Sequence, residues 1–539
     1  MNINSKPVRR VEVVVVGAGF AGMYATYRFR EMGKKVFAIE AGKDVGGVWY
    51  WNRYPGARCD VMSLDYSYGF SEAIQQEWTW TEQFAGQEEI LAYANFVADK
   101  LSIRQNYNFS TRVTSAVWSD AQKLWLVETD KGEVIAAPYC IMATGPLSVP
   151  KDPDIPGIER FQGQLLRAQK WPHYPVDLEG KRVGVIGTGS TGIQIIQTIS
   201  KQVGELFVFQ RTPSFTLPMR NQKLDAQYVK EMKRHYPAIR EAMRNNPSGG
   251  SRPAARRPYF SLLPAQRRRL LEQAWATGGY DVLGLFGDLF HNQEANDEVA
   301  DFVREQIGAI VDDPEVAEAL KPRGYPIFAR RPCLDTGYYE TYNRHNVHLI
   351  DCLSDPIIQI TENGILTECG EVELDVLIFA TGYDALTGAL LAVDIAGRDG
   401  RELKDKWREG PRSCFGFAME GFPNFFVPSG PNGPAALANL ITIAEHDVDW
   451  IADLVCYMEA NGLTTAEPTP EAEASWMGLV RELAERSLIR KAQTWWTGSN
   501  VKGKPTGLTM FVGGFDKYRE HCDAAAKDGY RSFHFETAG

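Results

Sequence analysis

Short β-branched runs alternate with helix-period segments from the start of the chain. Val11–Val16 reads as a strand whose one polar position is Glu12. Gly17-Ala18-Gly19-Phe20-Ala21-Gly22 ends that strand and opens a helix-like stretch to Met32, and Val36–Ile39 is a second apolar strand ending at Glu40. The pattern recurs. Arg182–Ile186 is a strand, Gly187-Thr188-Gly189-Ser190-Thr191-Gly192 opens another helix, and the next strand, Leu206–Phe209, ends in Gln210-Arg211-Thr212. Two further strands, Tyr139–Ala143 and Val376–Ala380, each follow a hairpin-like segment and run into Thr144-Gly145 and Thr381-Gly382. Between Leu224 and Glu318 the sequence turns charged and helix-periodic with no strand signal, which predicts a helical insertion. Mixed character returns from about Asp384.

The glycine turns have a specific physical reading. In each, the first glycine makes the tight turn, the second lets backbone approach a pyrophosphate, and the third permits close helix–strand packing. The helix N-terminus aims N–H groups at the negative charge. Gly17, Gly19 and Gly22 form the first set, with Glu40 placed to accept hydrogen bonds from ribose hydroxyls. Gly187, Gly189 and Gly192 form the second, where Arg211 replaces the acid. A carboxylate there would repel a 2′-phosphate, whereas guanidinium can grip it bidentately, so this site reads as NADP. The fold expected is α/β, with two Rossmann-like dinucleotide-binding domains and a helical insertion.

Length and charge narrow the function. A chain of 539 residues predicts two or three domains, and a hydrophobic fraction of 44% is ordinary for a globular protein. Net charge of -10 argues against nucleic acid, which needs a basic face. The arginine-rich stretch Arg252–Arg269 is read as a solvated helical surface. Arg9 and Arg10 precede an apolar run, but Glu12 interrupts it and no small-residue cleavage site follows, so no secretory signal is expected. No apolar run is long enough to span a bilayer. The eight cysteines form neither a CxxC pair nor zinc-ligand spacing, which fits a reducing cytoplasm and no metal.

Two nucleotide folds in one chain suggest electrons passing from a nicotinamide to a flavin, which makes FAD the first ligand and NADPH the second. Three outlets would serve: a disulfide, a quinone-like acceptor, or oxygen. The absent CxxC excludes the first, and the lack of a membrane-facing apolar segment argues against the second. Oxygen remains.

Phe161-Gln162-Gly163 followed by Trp171-Pro172, just before the second glycine turn, resembles the fingerprint FxGxxxHxxxW[P/D] of type I Baeyer–Villiger monooxygenases. The segments Gly46–Asp60, Arg330-Arg331-Pro332, Ala380–Gly388 and Trp495–Asn500 also look like family segments, in family order. Length and spacing are most similar to the branch of phenylacetone, steroid and cyclohexanone monooxygenases. One position departs: Arg167 stands where the fingerprint has histidine, and it cannot become neutral near physiological pH.

The resemblance implies an enzyme that uses FAD, NADPH and O2 to turn cyclic or aryl ketones into lactones or esters. The route runs through a flavin C4a-peroxide and a tetrahedral adduct, and sulfides are possible further substrates. It implies Arg331 as the catalytic cation, with Asp60 orienting and partly neutralising it, both also close to cofactor. Gly47, Trp49, Trp51 and Tyr66 become flavin-side neighbours. Arg330 joins Arg211 and Thr212 at the 2′-phosphate, while Thr188 and Ser190 offer hydroxyls to the phosphates. Trp495 becomes the tryptophan of a mobile loop near residues 488–506 that folds over NADP, with Lys502-Gly503-Lys504-Pro505 a flexible segment beyond it. Pro146, Pro434, Ala435, Ala436, Leu437 and Leu440 line the ketone site. The implied division is an FAD-binding domain from residues 1–145 and 383–539, an NADP-binding domain from 146–223 and 329–382, and the insertion at 224–328. The partners are then O2 and a small ketone, with the chain a monomer or weak homo-oligomer. Two rivals share the fold: a flavin-containing N- or S-hydroxylating monooxygenase, and a silent nucleotide-binding protein that has lost turnover.

Overall fold

The computed structural model describes residues 8–151, 153–435 and 437–537. Its centre is a pair of parallel five-stranded sheets. The first has the order Phe425–Phe426, Tyr139–Met142, Val13–Val16, Val36–Ile39, Tyr107–Asn108. All four valines of Val13–Val16 are buried, as a central strand covered on both faces requires. The second has the order Val347–Asp351, Glu205–Gln210, Arg182–Ile186, Val376–Phe379, Gln164–Arg167. Each glycine turn feeds a helix, Phe20–Glu31 in the first sheet and Ser190–Ile199 in the second.

The two hairpin-like segments are small antiparallel sheets beside the main ones. Val113–Ser119, Leu124–Thr129 and Val134–Ala137 form one, extended by parallel pairing to Val8–Arg10 and Asp394–Ala396. Arg9 and Arg10 therefore lie in a strand, with the Arg9 guanidinium over the Phe37 ring. Ile357–Ile360, Gly364–Thr367 and Gly370–Glu373 form the other.

The charged middle folds into the helices Ala226–Arg244, Pro264–Thr277, Gln293–Ile310 and Pro314–Leu320. Of the arginines expected on a solvated helical surface, Arg268 and Arg269 lie exposed on a helix and Arg256 and Arg257 are exposed ahead of it, while Arg252 and Arg267 depart. The helix begins only at Pro264, Arg252 is ion-paired with Asp281, and Arg267 is buried. Arg267 lies over the Tyr259 and Phe260 rings at 4.7 and 4.8 Å and meets Glu298 at 3.2 Å. Ring faces and a carboxylate from the next helix replace the water that guanidinium gives up. Beyond residue 439 the long helix Leu440–Ala460 lies along Phe20–Glu31, where Tyr24 donates to Asp449 at 2.7 Å and Arg28 to the same oxygen at 3.1 Å. Among the described residues no helix is long and apolar enough to cross a membrane.

The third glycine of each turn is a packing contact. A Cβ on Gly22 would run into the Gly17 carbonyl, and one on Gly192 into that of Gly187. Gly22→Ala is expected to destabilise the protein by about 1–3 kcal/mol in denaturant unfolding. Gly478→Ala, at an exposed helix position with nothing within 4 Å, is expected to be neutral or to stabilise by up to about 1 kcal/mol.

Candidate active site

The two glycine turns are built alike, and each is closed by one of the strands that end in Thr-Gly. Gly17 and Gly187 share φ +109, a conformation that favours glycine. The carbonyl of Ala143 fills the space a Cβ on Gly17 would need, and that of Ala380 stands 2.6 Å from the corresponding point on Gly187. Gly46 and Gly47 then fold against the first turn: Gly46 N–H donates to the Ala18 carbonyl at 2.9 Å, and a Cβ on Gly47 would meet the Gly19 Cα at 2.7 Å. The result is a cradle of bare backbone. Glu40 sits buried beside it, accepting from Ala18 N–H at 2.7 Å and Gly42 N–H at 2.6 Å, and burial pushes its pKa up. A backbone cradle with a carboxylate at the end of the second strand suits the pyrophosphate and ribose of FAD.

The second turn is open where the first is covered. Gly189 and Ser190 are exposed, and nothing lies within 4 Å of a Cβ placed on Gly189. Arg211 is exposed beside them; burial lowers the pKa values of Lys151 and Arg330, and the nearby Arg211 charge lowers both further. Arg330 stacks over Tyr325 at 4.5 Å, and its buried Nε has no hydrogen-bond partner among the described residues. Cations gathered in this way, one with an orphaned donor, fit a phosphate. Thr188 differs from expectation: it is buried and its hydroxyl donates to the Thr212 carbonyl at 3.2 Å, so it braces the turn instead of facing solvent. Lys151 was not foreseen.

The segment after Gly47 runs from one fold to the other. Trp49 is buried and donates to the Tyr66 hydroxyl at 3.0 Å, while Trp51 is 37% exposed. Tyr54 then donates to Gln194 on the second helix at 2.9 Å, and Gln194 donates back to the Arg58 carbonyl at 3.0 Å. Gly56, at φ +80, packs so closely that a Cβ would overlap Thr198. Asp60 comes next and meets Arg331. Nε of Arg331 donates to Oδ2 at 3.0 Å and Nη2 to Oδ1 at 2.5 Å, a bidentate fork. Tyr280, from the helical insertion, donates to the same Oδ2 at 2.6 Å. Burial pushes the Arg331 pKa down, but Asp60 and Tyr280 more than offset this and hold it well above the ordinary range. It is a permanent cation.

A separate apolar cluster unites Ala435, Leu437, Leu440 and Trp495 with Leu386, Ile489, Trp496 and Met510. Pro146 joins through its carbonyl, which accepts from Leu386 N–H at 2.9 Å, and Pro434 is buried in the preceding turn. Ala436 lies outside the described residues. Asn439 caps the helix that begins at Leu440, accepting from Ile441 N–H at 3.0 Å and donating to the Asp65 carbonyl at 2.7 Å. Leu386 belongs to the quoted segment Ala380–Gly388, so a signal for it existed. Phe290 packs on the cluster from the insertion and had none.

Lys504 also departs from the expected flexible segment. It is ion-paired with Asp384, while Asn500 donates to the Tyr383 carbonyl at 2.9 Å and takes a hydrogen bond from Lys151 at its own carbonyl. These contacts hold the Trp495–Asn500 segment against the 383–386 turn. Arg167 sits opposite Phe379 in the edge strand with its guanidinium 5.9 Å from that ring, while His173 packs on Tyr50.

One titratable group on the helix Leu440–Ala460 escaped the sequence entirely. Glu445 accepts from Gly69 N–H at 2.7 Å and Phe70 N–H at 3.0 Å, and burial pushes its pKa up to about 7. A carboxyl whose folded pKa exceeds its unfolded value stabilises fully below about 4.5 and loses that contribution as pH rises through about 7. Glu445→Gln is expected to flatten the pH dependence of thermal stability across that window.

Comparison with known proteins reaches across the whole chain. The family model described as pyridine nucleotide-disulphide oxidoreductase matches residues 11–240, which span both glycine turns. A Baeyer–Villiger monooxygenase of Pseudooceanicola batsensis is 41% identical over 540 aligned residues, 99% of this chain and 98% of that protein. The structure of an oxidized steroid monooxygenase bound to NADP is 45% identical, with TM-score 0.94 and coverage of 98% and 100%. Cyclohexanone monooxygenase from Rhodococcus sp. Phi1 bound to NADP+ is 39% identical, with TM-score 0.96 and coverage of 99% and 100%.

Proposed function

The chain belongs to the Baeyer–Villiger monooxygenases, and from that membership we propose how its own residues perform the reaction. It takes FAD at the Gly17 turn and NADPH at the Gly187 turn, and uses O2 to convert cyclic or aryl ketones to lactones or esters. Residues 1–145 and 383–539 form the FAD side and 146–223 and 329–382 the NADP side, with 224–328 as the insertion. FAD, reduced by NADPH, supplies activated dioxygen when bound. What remains for the protein is to stabilise negative charge on oxygen, keep protons and water away, and hold the ketone.

Arg331 meets the first demand. Its guanidinium stays charged at any working pH, so it stabilises an oxyanion without delivering a proton to it. Asp60 fixes its orientation through two hydrogen bonds, and this bidentate pair is the observation that supports the reading. An N- or S-hydroxylating enzyme has no need of such a pair. Arg211 and Arg330, with Lys151 beside them, bind the 2′-phosphate. Trp495 and its neighbours close over the nicotinamide side, and the cluster of Ala435, Leu437 and Leu440 excludes water from the ketone.

Three outcomes follow for the purified protein. It is yellow, and in air its NADPH consumption rises with cyclohexanone or phenylacetone as lactone or ester appears; a colourless protein, or turnover of amines but no ketone, contradicts the assignment. Arg331→Ala keeps the flavin colour but loses product formation by about 10²–10³-fold. Arg211→Ala raises KM for NADPH by about 10–100-fold and leaves KM for NADH nearly unchanged.

A further inference from the structure

The Asp60–Arg331 pair is not a pair alone. Two consecutive glycines, Gly278 at φ +84 and Gly279 at φ +64, end the insertion helix Pro264–Thr277 and turn the chain sharply. Neither position has room for a larger residue without displacement: a Cβ on Gly278 would meet the Pro218 carbonyl at 2.7 Å, and one on Gly279 the Phe84 ring at 3.3 Å. Gly279 N–H donates to the Pro218 carbonyl at 2.8 Å, which ties the turn to the second fold. The next residue is Tyr280. Its hydroxyl donates to Asp60 Oδ2 at 2.6 Å, and the carbonyl of Pro332, the residue after Arg331, lies 3.1 Å from that hydroxyl oxygen.

Asp60 faces a conflict. A carboxylate that only neutralised Arg331 would orient it but also cancel the positive field that an oxyanion needs. A hydroxyl donating to the carboxylate draws charge off that oxygen, which leaves more of the guanidinium's field available. It also completes the hydrogen bonding of a carboxylate whose side chain is only 16% exposed. We propose that Tyr280 is a positioning residue of the reaction, the third member of an Arg331–Asp60–Tyr280 triad through which the helical insertion sets the charge balance and orientation of the catalytic arginine.

The inference rests on the role given to Arg331 and Asp60, so the experiment separates the two. Tyr280→Phe removes the hydroxyl and keeps the ring. In the FAD-loaded enzyme at saturating ketone, the measured ratio is product formed to hydrogen peroxide released per NADPH consumed. Tyr280→Phe is expected to lower that ratio by roughly 3- to 30-fold while KM for NADPH stays within about 2-fold of the parent. In an Asp60→Ala background the same substitution is expected to add nothing, because its effect passes through the carboxylate. Thermal unfolding of the four proteins supplies a readout independent of turnover, and should show the same non-additivity. An unchanged ratio in Tyr280→Phe, or full additivity with Asp60→Ala, overturns the role of Tyr280. An unchanged ratio in Asp60→Ala alone overturns the reading beneath it.

Discussion

The bidentate contact between Asp60 and Arg331 is where the two nucleotide folds meet. Asp60 ends a segment that begins against the first glycine turn, and Arg331 precedes the short strand Cys333–Asp335, which pairs with Thr216–Pro218 just beyond the second sheet. Both side chains are only partly withdrawn from water, 31% of Arg331 and 16% of Asp60 staying exposed, and the geometry and further hydrogen bonds of the pair offset that partial desolvation. Here the fork uses both carboxylate oxygens, and Tyr280 adds a third donor. Removing one partner would strand the other charge, which gives the two folds a strong reason to keep their relative placement.

The path to that contact explains several glycines as one device. Gly47 lies against Gly19 in the first fold, and Gly56 lies against Thr198 in the second. Between them the chain spans the gap with Trp49 anchored on Tyr66 and Tyr54 anchored on Gln194. The backbone approaches both folds at distances that side chains would forbid. Asp60 is thereby delivered by contacts to both nucleotide-binding helices or turns, and bound cofactors would buttress the same surfaces.

The sequence made the repeated strand–turn–helix units legible because local periodicity and glycine spacing define them, and Glu40 and Arg211 stand at the strand ends where their roles require. Asp60, Arg331 and the residues from Pro434 to Leu440 were singled out by the family resemblance alone; by its own pattern the last segment reads as a helix start after a turn. Features made by distant approach were not legible. Lys151 joins Arg211 only because the 150–151 and 382–383 segments run side by side, and Tyr280 reaches Asp60 across 220 residues of chain. Arg267 looked like surface because nothing local announces the rings and the Glu298 carboxylate that receive it. The Lys504–Asp384 ion pair was illegible for the same reason, its two members lying far apart in sequence. Thr188 shows the opposite error: a hydroxyl at the right motif position is engaged by its own turn.

Arg167 fits this picture as a strand residue at the sheet edge, opposite Phe379 and a few residues ahead of the buried Trp171. The fingerprint's tryptophan is thus buried while its histidine position holds an arginine, and the Arg331–Asp60 fork is formed beside that change. Electrons from NADPH must end in oxygen insertion for this arrangement to serve its reaction. Turnover of cyclohexanone with NADPH under ¹⁸O₂, followed by mass spectrometry of the product, tests it directly. The account predicts a lactone carrying one ¹⁸O atom. Unlabelled product, or no lactone with all the NADPH recovered as hydrogen peroxide, would contradict it.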